Sequence, residues 1–335
     1  MSLSFVSDKS DPVLLRRQLV SRVFAKVCRF CTWGALAVLA ILLACVGWNA
    51  VGWLDWQFLT SVHSADPEKA GLFAGIWGSF WMIQLTVLFC VPLGIGTAIY
   101  LEEYAPRNLL TGLIKINLAN LAGVPSIVYG MLGLAVFARM FGMFSKDGGQ
   151  PTLYEIPGIM QFELPFGRSV LTGSLTMTLL ILPVVVIASQ EALKAVPSSI
   201  RTASYALGAS RWQTIRWQVL PAAVPGITTG VILAISRAIG ETAPLVMIGS
   251  LTTIFYTPGD INSPADLIRH PGKLADVPFS KFTAMPIQIY NWIGQAKRDF
   301  SHVAAAGIVT LLFVLLAFNA LAVWIRYRAS KKIQW

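Results

Sequence analysis

Six apolar runs of about eighteen residues or more recur along this chain, and no other feature narrows its possible folds so far. Each is long enough to cross a hydrocarbon layer of about 30 Å. Inside lipid every backbone N–H and C=O must find a partner within the protein, so only helices and closed barrels can span it. The period-two alternation of a barrel strand is absent. The sequence therefore predicts an all-α fold, a polytopic membrane protein with six transmembrane helices. Composition agrees: 55% of residues are apolar, only 13% are charged, and the mean hydropathy is +0.65.

The expected spans are Cys31–Trp53, Ile76–Leu101, Asn117–Phe141, Ser169–Ser189, Ala223–Gly249 and Val303–Ile325. They define a basic N-terminal segment at 1–30, a membrane domain at 31–326 and a tail at 327–335. One side carries loops 54–75, 142–168 and 250–302, the last with an amphipathic helix expected near 284–296. The other carries the loop 190–222. Gly226-x-x-x-Gly230 predicts close helix packing through small residues. Frequent Gly and Pro within the spans equally suit broken helices lining a path.

Charge is distributed as a membrane protein requires. Of the 26 Lys and Arg residues, 16 fall on the side of the termini, 9 on the opposite side, and Arg237 lies within a span. The positive-inside rule makes the side of both termini cytoplasmic. The net charge of +10 is then a matter of topology, and a nucleic-acid partner is not needed to explain it. Glu102 and Glu103, just past the second span, read as a solvated cytoplasmic end. Cys28, Cys31, Cys45 and Cys90 lie in or beside spans and imply no disulfide framework. His63, His270 and His302 are scattered in outer loops and form no metal site. The N-terminus lacks a small-residue cleavage site after a short apolar core, so no cleaved signal peptide is expected.

Loop 190–222 is longer than a turn between spans requires. Pro197-Ser198-Ser199 starts a short helix, Gly208 breaks it, and a second segment, Ser210–Val219, carries Arg211, Trp212, Arg216 and Trp217. Leu220-Pro221 is expected to end that segment. Two short helices around a glycine corner make a knob, suited to a groove on a partner or to anionic lipid.

Ala203, Gly208, Leu220 and Pro221 fall at the spacing of the coupling loop of ABC importer permeases, which the knob resembles; Thr202, Ser204 and Gln218 depart from that pattern. Asn120–Gly130, Leu182-Pro183 through Pro197, and Ser236–Leu245 resemble the phosphate-specific branch, and Gly240-Glu241-Thr242-Ala243-Pro244-Leu245 is similar to its A-type permeases. The resemblance implies an ABC-permease helix arrangement, a second C-type permease, two copies of a cytoplasmic ATPase and a periplasmic phosphate-binding protein, in membrane lipid. It implies no catalytic residue, metal or cofactor on this chain. ATP-Mg is assigned to the ATPase, since the chain has no Gly-x-x-x-x-Gly-Lys-Ser/Thr stretch and Leu267 stands where Gly272-Lys273 would need the first glycine. Ala203, Gly208, Leu220 and Pro221 become the candidate ATPase-coupling residues.

Arg237 and Glu241, four apart, share a helix face near the expected bilayer centre. Two readings follow: a self-neutralising structural pair, or a guanidinium facing a wet path and offering its planar fork to phosphate oxygens. Arg168, at the outer end of the fourth span, suits either a snorkelling role or a vestibule that attracts phosphate. Ser126 and Thr242 are candidate neutral donors on the path.

Overall fold

The computed structural model describes residues 12–139, 152–156, 160–164, 166–249, 257–260 and 273–330. The described parts of the apolar spans are helical. The first helix, α1, runs unbroken over Pro12–Ala50 and begins well before the expected Cys31, because the basic stretch ahead of the span is itself helical. Then come α2 (Trp56–Thr60) and α3 (Phe73–Ile99), which carries Pro92 inside it. The helix widens into a π-helical turn at Tyr100–Tyr104. Asn108 caps α4 (Leu109–Ala122), its Oδ1 accepting from Thr111 N–H at 2.9 Å. Helix α5 covers Ser126–Gly133 and widens again through Arg139.

The expected third span, Asn117–Phe141, is not one helix. The segments Leu109–Ala122 and Ser126–Arg139 meet at 103°. Pro125 lacks the N–H a continuing helix would use, and its ring disfavours a helical Val124. Tyr129 closes the corner by donating its hydroxyl to the Leu121 carbonyl at 2.7 Å. Phe141 lies outside the described residues.

An antiparallel hairpin interrupts the helices, with β1 (Thr152–Ile156) paired to β2 (Met160–Leu164) in the register Thr152↔Leu164. Then α6 (Val170–Lys194) passes through the middle of the bundle, with Pro183 accommodated inside it. The knob consists of α7 (Ser198–Ala206) and α8 (Arg211–Thr214). A π-helical turn at Ile215–Val219 joins α8 to α9 (Leu220–Gly240). After a break come α10 (Ala243–Ile248), α11 (Lys273–Asp276), α12 (Met285–Ile293) and α13 (Asp299–Ser330).

Two further expectations change. The sequence predicts a continuous fifth span over Ala223–Gly249, but the helix stops at Gly240. Leu220-Pro221 reads in the sequence as the end of the knob's second segment, yet the helix continues from Arg211 through Gly240. The π turn explains this: Leu220 N–H reaches the Ile215 carbonyl five residues back, and the widened turn accepts Pro221, whose missing N–H would break a regular turn.

Helix α6 is the axis of the core, its most apolar stretch two-thirds buried, whereas the most apolar stretch of α1 has no buried residue. Met82, Met177, Ile181, Val185, Ile235 and Leu245 fill the centre. Ala98, Leu101, Leu193, Val196, Val219 and Ile227 form a cluster at the knob end. Phe58, Leu72, Trp292 and Phe300 form another at the opposite end. There His63 Nδ1 accepts from Trp292 Nε1 at 3.2 Å, and burial holds the imidazole below its ordinary value of 6.5. Among the described residues no metal-ligating group assembles, and His270 lies outside them.

Polar side chains within the bundle use helix carbonyls. Ser174 Oγ donates to Val170 O at 2.8 Å and lies 3.1 Å from Met82 O, and Thr86 Oγ1 donates to Met82 O at 2.7 Å. The first and last of these lie within one helix each; Ser174 Oγ at Met82 O, with Thr86 Oγ1 3.3 Å from Ser174 O, holds α3 against α6 where water is excluded.

Gly226-x-x-x-Gly230 packs α9 onto α6, as expected of small residues. A Cβ on Gly226 would lie 2.7 Å from that of Ala192, and one on Gly230 closer still to Ala188. Gly230→Ala is therefore expected to destabilise the purified protein by about 1–3 kcal/mol through overpacking. The same change at Gly112, which meets nothing within 4 Å, is expected to raise stability by up to about 1 kcal/mol through helix propensity. Thermal unfolding in one detergent reads both, and equal shifts would refute the packing argument.

Candidate functional site

The knob is built by local rules. Pro197 occupies the N-cap position of α7, and the helix ends in a Schellman motif: Gly208 N–H reaches Tyr205 O at 2.9 Å and Ala209 N–H reaches Ser204 O at 3.2 Å. That ending needs a left-handed residue, and Gly208 supplies it with φ +81°. Ser210 then opens α8 with a capping box, its Oγ accepting from Gln213 N–H at 3.3 Å while its own N–H donates to Gln213 Oε1 at 2.8 Å.

Ser204, one of the departures from the resembled pattern, ties the two helices together, 2.9 Å from Thr214 Oγ1. Ala203 accepts Leu207 N–H at 3.2 Å, and Leu220 and Pro221 open α9. The outer face is apolar and open. Leu207 is 89% exposed, and Trp212 and Tyr205 lie on the surface with it.

The acidic end of α3 corrects the sequence reading. Glu103 is not solvated: it is buried, and its Oε1 accepts from Arg201 Nη2 at 2.8 Å and from Nε at 3.2 Å. Glu102 pairs with Lys115 at 3.1 Å. The Arg211 guanidinium sits 5.4 Å from the centre of the Tyr104 ring. Only the opposite charges of Glu103 and loop 190–222 hinted at this in the sequence, because 98 residues separate Glu103 from Arg201.

At the other candidate site α9 ends and α10 begins. Glu241 is extended (φ −77°, ψ 117°), and Pro244 in the first turn of α10 prevents a continuous ladder. Arg237, in the last turn of α9, donates from Nε to Glu241 Oε1 at 3.2 Å. Its side chain is 49% exposed and that of Glu241 19%. The two terminal guanidinium nitrogens have no hydrogen-bond partner among the described residues. Thr242 lies in the break itself.

Helix α5, which begins at Ser126, is pressed onto α10. A Cβ on Gly130 would lie 2.6 Å from Pro244 Cα. The corner that carries Ser126 and the break that carries Glu241 and Thr242 therefore belong to packed neighbours. Arg168 is not brought to Arg237. Its guanidinium lies over Gly249, at the far end of α10, about 9 Å along that helix from the break.

Residues 90–334 match the family described as binding-protein-dependent transport system inner membrane component. The chain is 30% identical over 325 residues to the probable ABC transporter permease protein YqgI of Bacillus subtilis, covering 95% of this chain and 99% of that protein. It is 30% identical over 328 residues to the phosphate transport system permease protein PstA 1 of Mycobacterium tuberculosis, covering 96% and 93%. It is 33% identical over 258 residues to PstC, a phosphate transport system permease protein of Mesorhizobium japonicum, covering 74% and 77%. Among solved structures it superposes on a bacterial ABC transporter involved in import of the acidic polysaccharide alginate, with a TM-score of 0.59 at 13% identity over 95% of this chain and 99% of that one. That likeness concerns the fold alone. A broken-helix bundle with a knob at one end, matched by the family over most of its length and by full-length permeases, places this chain in the family of binding-protein-dependent transport system inner membrane components, the permeases of ABC transporters.

Proposed function

We propose that the chain is the A-type permease of an ATP-driven importer of inorganic phosphate, multi-pass in a bacterial inner membrane with both termini cytoplasmic. The observation that carries this reading is the half-exposed Arg237 guanidinium at the break of a spanning helix. An arginine facing lipid at membrane depth costs at least about 2.5–3.5 kcal/mol, so that face belongs to a wet path or to a second permease. One carboxylate steadies Nε and leaves the outer fork for an oxyanion. Glu241 also limits the affinity, since a path must release what it binds. Thr242 and Ser126 add neutral donors, and Arg168 attracts the anion from the outer side.

Similarity to PstA 1 along nearly the whole chain supports the cargo and the A-type assignment. The assembly then contains a C-type permease beside this chain, two copies of a cytoplasmic ATPase that bind ATP-Mg and dock on Ala203, Gly208, Leu220, Pro221 and their neighbours, and a periplasmic phosphate-binding protein. This subunit catalyses no reaction itself. Similarity to YqgI, a probable ABC transporter permease protein, supports the coarser second reading, an ABC permease for another oxyanion or small solute.

Vesicles containing the purified assembly decide between them. Uptake of radiolabelled phosphate that requires both ATP and the binding protein is the expected result. Uptake of molybdate or sulfate but not phosphate would establish the second reading. Uptake by this chain alone, with no ATPase, would overturn both in favour of a secondary transporter.

A further inference from the structure

Arg201 makes four bonds to two separate elements. Besides the two to Glu103, it donates from Nη1 to Val196 O at 2.7 Å and from Nη2 to Leu193 O at 2.9 Å. One guanidinium on α7 is thus locked to the end of α6 and to the last turn of α3, with side-chain exposures of 20% for Arg201 and 8% for Glu103. The neighbours of Glu103 repeat the arrangement. Glu102 holds Lys115 of α4, and Tyr104 receives Arg211 of α8. Three consecutive residues of one π-helical turn each take a cation from a different helix. Around them Leu101, Leu193, Val196 and Val219 form a shared apolar cluster.

Stability alone does not account for this. A buried ion pair is weak support for a fold, and apolar residues of similar volume hold such a place as well or better. What the pair adds is direction: a planar fork with fixed acceptors permits one orientation of α7 against α3. From this turn α3 extends to the opposite end of the bundle, where Leu72 precedes its first residue and belongs to the second cluster.

We infer that the Glu103–Arg201 pair is the joint through which the knob drives α3, so that a displacement of α7 at the ATPase is carried by α3 to the far side of the membrane. Arg201 and Glu103 are positioning residues that touch neither nucleotide nor cargo. The inference rests on the reading of the knob as the ATPase-docking element.

The decisive variant replaces both partners, Glu103→Leu with Arg201→Leu, in the complete assembly in vesicles. Three quantities are read: ATPase retained on purification, binding-protein-stimulated ATP hydrolysis, and phosphate moved per ATP hydrolysed. The expected result is an assembled, hydrolysing complex whose phosphate-to-ATP ratio falls about fivefold, at the lower edge of usual coupling between sites. A ratio equal to wild type overturns the joint. Because it is a ratio, loss of folded protein does not imitate the effect.

Should the double variant fail to assemble, Arg201→Lys decides. A single ammonium cannot reach Glu103, Val196 O and Leu193 O together, so a reduced ratio is expected, and a wild-type ratio again overturns the inference. Failure of the unaltered assembly to retain the ATPase, or to move phosphate, would instead refute the function proposed above.

Discussion

Arg237→Gln is expected to lower phosphate uptake by the assembled complex about a hundredfold, while leaving its assembly and its unstimulated ATP hydrolysis in place. A hydrogen bond to a charged group contributes about 1.5–3 kcal/mol, and the change removes two such donors with their charge. A loss near 3 kcal/mol corresponds to about a hundredfold, at 1.4 kcal/mol for each tenfold. The fold should tolerate it: Arg237 is half exposed and its one hydrogen bond among the described residues goes to Glu241.

Arg237→Lys is expected to fall between, since an ammonium keeps the charge but loses the bidentate fork. Initial rates of phosphate uptake into vesicles measure both. Wild-type uptake by Arg237→Gln in a correctly assembled complex would make the Arg237–Glu241 contact a structural pair and remove it from the path.

The spans were legible because length and apolarity are properties of a single segment. Their breaks were not. Pro92 and Pro183 lie inside unbroken helices, whereas Pro125 and Pro244 stand at the two corners of the candidate path. The residue type is the same in all four. What differs is the neighbourhood: the corner after α4 is closed by Tyr129, and α10 is held by the contact of Gly130 with Pro244, and neither partner is marked in a hydropathy profile.

The knob was legible in outline, since Pro197 and Gly208 act locally. Its attachment was not. Glu103 sits where a span ends, so a one-dimensional reading solvates it, and only the folded chain delivers Arg201 to it. The break after Gly240 also changes what Arg237 is. In a continuous span it would be one side chain among many at mid-membrane, whereas in the fold it occupies the last turn of a helix beside an interrupted backbone.

Gly208→Val is expected to cut retention of the ATPase about thirtyfold, with Gly208→Asn close to wild type. The argument turns on the backbone. A Cβ at this position would meet nothing within 4 Å, so no clash arises from added volume. The cost lies in φ +81°, a left-handed conformation that asks about 1–2 kcal/mol of an ordinary L-residue and is most disfavoured for a β-branched one. Two kcal/mol corresponds to about thirtyfold in an equilibrium. Valine escapes the strain by leaving the left-handed region, which gives up the bonds from Gly208 N–H to Tyr205 O and from Ala209 N–H to Ser204 O. The angle between α7 and α8 then changes, and Leu207 and Trp212, which form the exposed apolar face, no longer stand together. Asparagine accepts the same φ and keeps the corner. Co-purification with the ATPase at matched permease levels separates the two variants. Equal retention would mean that the partner reads the side chains of the knob without needing its corner, and the docking face would then have to be sought on α8 alone.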